Sequence, residues 1–208
     1  DAEGHYASAA DMARLTAYAL ENQVFRRIVS TASITIGERY LANHNKLLRL
    51  YDGCLGVKTG YTQAAGRTLV SAAQREGMTL VCVTLNDRDD WNDHMALLDY
   101  GFANYRMETA VSAGQTLASV LVRGGSSKTV ALAADRELRY PVAGEERLTV
   151  KVHVPVSVPA PVVPGQRIGE AVAYLDDEAV ASVDLIAAAP SAAVEPGEER
   201  SFWGKLFS

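Results

Sequence analysis

The chain has 208 residues, 48% of them hydrophobic, which is enough to bury a core in one large domain or two modest ones and argues against a disordered chain. A formal net charge of -5, with both signs interspersed, argues against nucleic-acid binding, which gathers basic and aromatic residues on one face. The two cysteines, Cys54 and Cys82, sit in apolar strand-like runs and read as small buried hydrophobes rather than ligands or redox groups.

The start, "DAEGHYAS", has no initiator Met, basic n-region or apolar h-region, and reads as the beginning of an excised piece. "SAADMARLTAYAL" predicts a helix, with Ser8 as N-cap, Asp11 as its capping-box partner and Met12, Leu15 and Ala19 at helical spacing. "NQVFRRIVS" predicts a second, shorter helix, "SITIGERYL" alternates like one edge strand, and "NHNKLLRL" reads as a loop entering a helical turn. "CLGVKTG", "RTLVSAAQ" and "TLVCVTLN" predict an antiparallel three-strand meander. "DDWNDHMALLDYGFANY" predicts an amphipathic helix closing it, with Trp91, Met95, Leu98 and Phe102 on one face. The acidic residues of "DRDD", with Asp93, read as a charge cluster at that helix's N-terminus rather than a paired-carboxylate site.

The composition changes near residue 107. From there to 189 the chain is Val-rich, alternating and broken by Gly and Pro, which predicts a separate small β-sandwich or barrel. Residues 190–208 read as a linker running into "SFWGKLFS", where Phe202, Trp203, Leu206 and Phe207 fall on one helical face with Lys205 reaching toward lipid headgroups. Eight residues are too few to span a bilayer, which needs about 20, so this is expected to be the start of a longer anchor.

The segment "GVKTGYTQAAGR" concentrates candidate site residues. An apolar strand leads into Lys58, Gly60 lets a ligand approach the backbone, and the returning strand opens with Arg67, giving a basic groove along a sheet edge. A substrate carboxylate fits between Thr59 and Arg67, whose planar guanidinium suits a bidentate grip. His5, His44, His94 and His153 show no metal-ligand spacing and read as packing or surface residues, so neither metal nor cofactor is expected.

"HYASAADMARL", "NHNKLL", "GVKTGYTQAAGRTLV" and "LLDYGFANY", in this order and followed by a β-rich region, resemble the low-molecular-weight penicillin-binding proteins, the serine-type D-alanyl-D-alanine carboxypeptidases. The resemblance implies an α+β fold: residues 1–107 as the C-terminal part of a β-lactamase/transpeptidase-like catalytic domain, an antiparallel sheet with helices, then a small all-β domain at 108–189. It implies a hydrolase trimming peptidoglycan stem peptides through a serine acyl-enzyme, inhibited by β-lactam antibiotics and anchored to the outer face of the bacterial cytoplasmic membrane. Lys58 would hold positive charge beside the nucleophile, Thr59 and Gly60 would bind substrate, the backbone N–H of Tyr61 would form half of the oxyanion hole, and Arg67 would anchor the carboxylate. Other carboxypeptidases of the family place their arginine further along, where this chain has "DDWNDH", and that departure makes Arg67 the candidate.

The family's nucleophile and base lie in Ser-x-x-Lys, with Ser-x-Asn opposite, and neither pattern occurs in these residues. Two accounts compete: a nucleophile upstream of this segment, in which case the segment alone should be inactive, or a catalytically dead cell-wall binding or scaffold module. A β-lactamase shares the motif but generally ends after the closing helix, so residues 107–189 count against it.

Overall fold

Ser8 opens the first helix through a reciprocal cap. Its hydroxyl accepts the Asp11 N–H at 3.1 Å while the Asp11 carboxylate accepts the Ser8 N–H at 3.0 Å, satisfying two donors at the start of α1 (Ala9–Leu20). Asn22 caps α2 (Gln23–Val29) by accepting from Val24 and Phe25. The computed structural model describes residues 3–194. The expected aromatic anchor at 202–207 therefore lies outside the described residues.

"SITIGERYL" is a hairpin, β1 (Ser33–Ile36) and β2 (Arg39–Ala42), and not the single edge strand its alternation suggests. Gly37, at φ 59°, is the first of two loop residues, the position where a tight hairpin turn of the right twist needs glycine. A short α3 (Leu47–Leu50) follows, then the meander β3 (Cys54–Thr62), β4 (Gly66–Arg75) and β5 (Met78–Leu85), paired antiparallel in that order. The helix α4 (Asp90–Asn104) closes it.

Side chains alternate across a strand, so β4 serves two faces. Leu69 and Ala73 pack with Leu47, Tyr51, Cys82 and Leu98 under α3 and α4, with Trp91, Met95 and Phe102 at the margin. Val70 faces the other side, where α1 and α2 bring Met12, Ala19 and Phe25. Burial pushes the Cys82 thiol up to about 11, in keeping with an inert core residue. Gly56, at φ 88°, bulges β3, and a side chain there would run into the Val29 carbonyl, so glycine is what lets α2 seat against the strand.

The chain divides into two compact units near Arg106 and Met107. The second contains only strands among its described elements: β6 (Tyr105–Val111), β7 (Thr116–Arg123), β8 (Thr129–Ala134), β9 (Leu138–Ala143), β10 (Thr149–His153), β11 (Ser157–Pro159), β12 (Arg167–Leu175) and β13 (Glu178–Ala187). Six form one sheet in the order β10-β12-β13-β8-β7-β11, antiparallel except for the parallel β11–β7 edge, and β6 pairs with β9. Val111 of β6 and Leu138 of β9 join Val120, Leu132, Ala171, Val183 and Leu185 in one core, so the ribbon covers a face of the larger sheet. The molecule is thus α+β, with an antiparallel sheet flanked by helices followed by an all-β unit.

Candidate active site on the edge strand

β3 is the outer strand of the meander, and its register sets what meets there: Lys58 lies opposite Val70, Thr59 opposite Leu69, Gly60 opposite Thr68 and Tyr61 opposite Arg67. By alternation Thr59, Tyr61, Leu69 and Arg67 share the face that carries α4, while Lys58 and Val70 share the other. A cavity of about 480 Å³ wraps this edge and is lined by all five expected residues, Lys58, Thr59, Gly60, Tyr61 and Arg67, together with His44, Thr68, Asp90 and Trp91.

Lys58 also borders an apolar cavity of about 310 Å³ beside Met12, Phe25 and Val70. Its ammonium donates to the carbonyl of Thr59, so the cation lies close along the strand edge. Gly60 has a structural reason as well as a functional one: Thr68 Oγ1 packs against its Cα, and any side chain would collide with that hydroxyl.

Arg67 is not a free surface arginine. Its Nε donates to Asp90 Oδ2 at 3.2 Å and its Nη2 to Asp90 Oδ1 at 2.6 Å, and its guanidinium lies 5.7 Å from the centre of the Trp91 ring. The hydrogen bonds that Arg67 donates to Asp90 raise its pKa, so the cation is permanent. Asp90 stays in the acidic first turn of α4, as "DRDD" suggests, but has a second role: its side chain is 5% exposed and serves as a counter-ion to a strand residue 23 positions earlier in sequence. Asp93 shares that turn, and the nearby Asp87 carboxylate raises its pKa.

One turn along α4, His94 is completely buried. Its Nδ1 lies 2.6 Å from Ser71 Oγ on β4 and its Nε2 3.1 Å from Thr84 Oγ1 on β5. Burial pushes the imidazole down to about 4, outweighing the pull of Asp90 and Asp87, so it is neutral at physiological pH. His94 is thus a packing residue, as its lack of ligand spacing suggests. Sequence reasoning missed Asp90, His44 and Trp91 as members of the site because it reads Asp90 as helix-end charge, His44 as a packing or surface residue and Trp91 as part of an apolar helix face.

Residues 1–89 match the family model described as D-alanyl-D-alanine carboxypeptidase, and residues 105–190 the model described as penicillin-binding protein 5, C-terminal domain. The D-alanyl-D-alanine carboxypeptidase DacF of Bacillus subtilis is 29% identical over 211 residues, covering 96% of this chain and 53% of that protein. DacA of Haemophilus influenzae is 31% identical over 198 residues, covering 89% of this chain and 49% of that one. The crystal structure of penicillin binding protein 5 from Haemophilus influenzae aligns with a TM-score of 0.68 at 26% identity, over 92% of this chain and 58% of that one. A Streptococcus pneumoniae protein, PBP3, shares the fold with a TM-score of 0.77 at 21% identity, over 89% of this chain and 57% of that one. The chain spans about half the length of the curated relatives it matches. With the two family models matched in tandem, residues 1–89 by the D-alanyl-D-alanine carboxypeptidase model and residues 105–190 by the penicillin-binding protein 5 C-terminal model, the chain is related over most of its length to the D-alanyl-D-alanine carboxypeptidases of the penicillin-binding protein 5 type.

Proposed function

We propose that the intact protein is a serine-type carboxypeptidase that removes the terminal D-alanine of peptidoglycan stem peptides, and that this chain supplies the carboxylate and oxyanion side of its cleft. The observation that carries the proposal is the cavity lined jointly by Lys58, Thr59, Gly60, Tyr61 and Arg67 on one sheet edge. In this reading a serine outside the chain attacks the scissile carbonyl, releasing D-alanine, and water then hydrolyses the acyl-enzyme. Lys58 places a cation beside the nucleophile and eases its proton transfer. Thr59 donates its hydroxyl to the substrate's terminal carboxylate, and Arg67 grips the same group.

Backbone groups two residues apart on a strand point to the same edge, so the N–H of Tyr61 lies on the side of the Thr59 carbonyl that Lys58 reaches. From there it supports the developing oxyanion. β-Lactams, whose carboxylate and strained amide mimic the stem-peptide terminus, are the expected inhibitors. The division of labour is a catalytic part over 1–107, an all-β domain over 108–189, and over 190–208 a linker and the start of a membrane-anchoring segment, which holds the enzyme on the outer face of the cytoplasmic membrane. Labelling the intact protein with a fluorescent penicillin tests the chemistry: a covalent adduct is expected, and its absence in folded protein refutes the reading in favour of a non-catalytic cell-wall binder. Fractionation tests the anchor, which requires that deleting residues 201–208 and whatever follows them releases the protein from membranes.

A further inference from the structure

We propose that Asp90 is the positioning residue of the carboxylate subsite: it fixes the Arg67 guanidinium so that one fork is spent on the protein and the other is presented to the substrate. This rests on the carboxypeptidase reading above. A guanidinium has two forks that can each grip a carboxylate, one formed by Nε and one Nη, the other by the two Nη groups. Asp90 occupies the first, through Nε at 3.2 Å and Nη2 at 2.6 Å. The two hydrogens of Nη1 and the second of Nη2 are left on the far side of the group, and Arg67 lines the cavity beside Thr59. A carboxylate is the planar acceptor that matches the remaining fork.

Arg67 needs such a brace. Its side chain is 43% exposed, so an unbraced arginine there would sample many rotamers and lose that freedom on binding. Asp90 is held at 5% exposure at the first position of α4, so its own carboxylate is fixed. His94, four residues on and on the same helix face, bonds Ser71 and Thr84 and fastens this turn of α4 to the strands that carry Arg67 and its neighbour. The Trp91 ring, with its centre 5.7 Å from the guanidinium carbon, adds a cation–π contact. Asp90 also subtracts charge from the subsite, which opposes ligand binding. Orientation outweighs this because the ion pair uses the Nε and Nη2 fork and leaves the fork of the two Nη groups for a ligand.

The test measures binding of N-acetyl-D-alanine and of its C-terminal amide to the intact protein, in the wild type, Asp90→Asn, Arg67→Ala and the double variant. The wild type is expected to prefer the carboxylate over the amide. Asp90→Asn should weaken carboxylate binding roughly tenfold with little change for the amide, and should add nothing once Arg67 is alanine. Equal or tighter carboxylate binding by Asp90→Asn overturns the proposal, as do an equal loss with the amide or a loss that persists in the Arg67→Ala background. Should Asp90→Asn not fold, NMR of the wild-type guanidinium decides: the Nε proton should be slow to exchange without ligand and the Nη protons should shift on adding N-acetyl-D-alanine, the reverse pattern being fatal. A wild type that keeps the carboxylate preference yet is not acylated by penicillin would sink the enzymatic reading and leave the brace standing. Loss of the preference itself sinks the brace.

Discussion

Lys58 of β3 and Arg67 of β4, the two cations proposed to act in the cavity, have distinct assignments that mutation separates. Lys58 is exposed on the strand and contributes charge rather than core volume, so Lys58→Ala in the intact protein should abolish acylation by penicillin while the folded state persists. An unchanged acylation rate with unchanged thermal stability removes Lys58 from the mechanism. If Arg67 anchors the substrate carboxylate as proposed, Arg67→Ala should cost about 1.5 to 3 kcal/mol in kcat/KM for carboxylate-terminated substrates. It should also leave Asp90 buried with a charge and no partner, so some loss of stability is expected alongside, detectable as a lower unfolding midpoint. If amidated and carboxylate substrates suffer alike, Arg67 is not the anchor.

At the scale of elements, the seating of α4 on the sheet depends on a neutral histidine. The folded pKa of His94, pushed down to about 4, lies below its ordinary value of 6.5. Between those two values the unfolded chain takes up a proton that the folded chain does not. The stability drawn from neutral His94 is therefore full above pH 6.5 and is lost as pH falls through 6.5 toward 4, on the order of 3 kcal/mol across that window. The protection factors of the β4 and β5 amides near Ser71 and Thr84, with the intrinsic rate divided out, should fall between about pH 7.5 and 5, and His94→Gln should remove that dependence. A dependence that survives in His94→Gln has another source.

The same elements show why part of the design was legible in sequence. The capping box of α1, the meander and the helix after it are written in residues one to four positions apart, and Lys58 and Arg67 are brought together by one short turn. The Asp90–Arg67 and His94–Ser71 links each span 23 residues between a helix and a strand, and no periodicity announces them. β1 and β2 were hidden because their eight residues alternate continuously through the Gly37 turn. The parallel β11–β7 edge was hidden because strand order in Val-rich runs is chosen by distant partners.

At the scale of the whole molecule the two units differ in how completely they bury their own apolar surface. In the second, β12 and β13 turn Ala171, Ala173, Val183 and Leu185 into a core shared with Val111 of β6 and Leu138 of β9, all under 5% exposed. A sheet with one face covered by its own ribbon has what it needs for independent stability. In the first unit, Leu15 is 59% exposed, Tyr18 76%, Ile28 65% and Tyr40 67%, so helices α1 and α2 and the β1–β2 hairpin carry apolar side chains that nothing among the described residues of that unit covers. The 208-residue chain by itself should therefore yield, on limited proteolysis, a resistant fragment beginning near Met107, with early cleavage in α1, α2 and the hairpin. Residues 107–194 expressed alone should unfold cooperatively. In the intact protein the same sites before residue 45 should be protected, because there the apolar face finds its partner. Survival of the first hundred residues with early loss of the second unit would contradict this account.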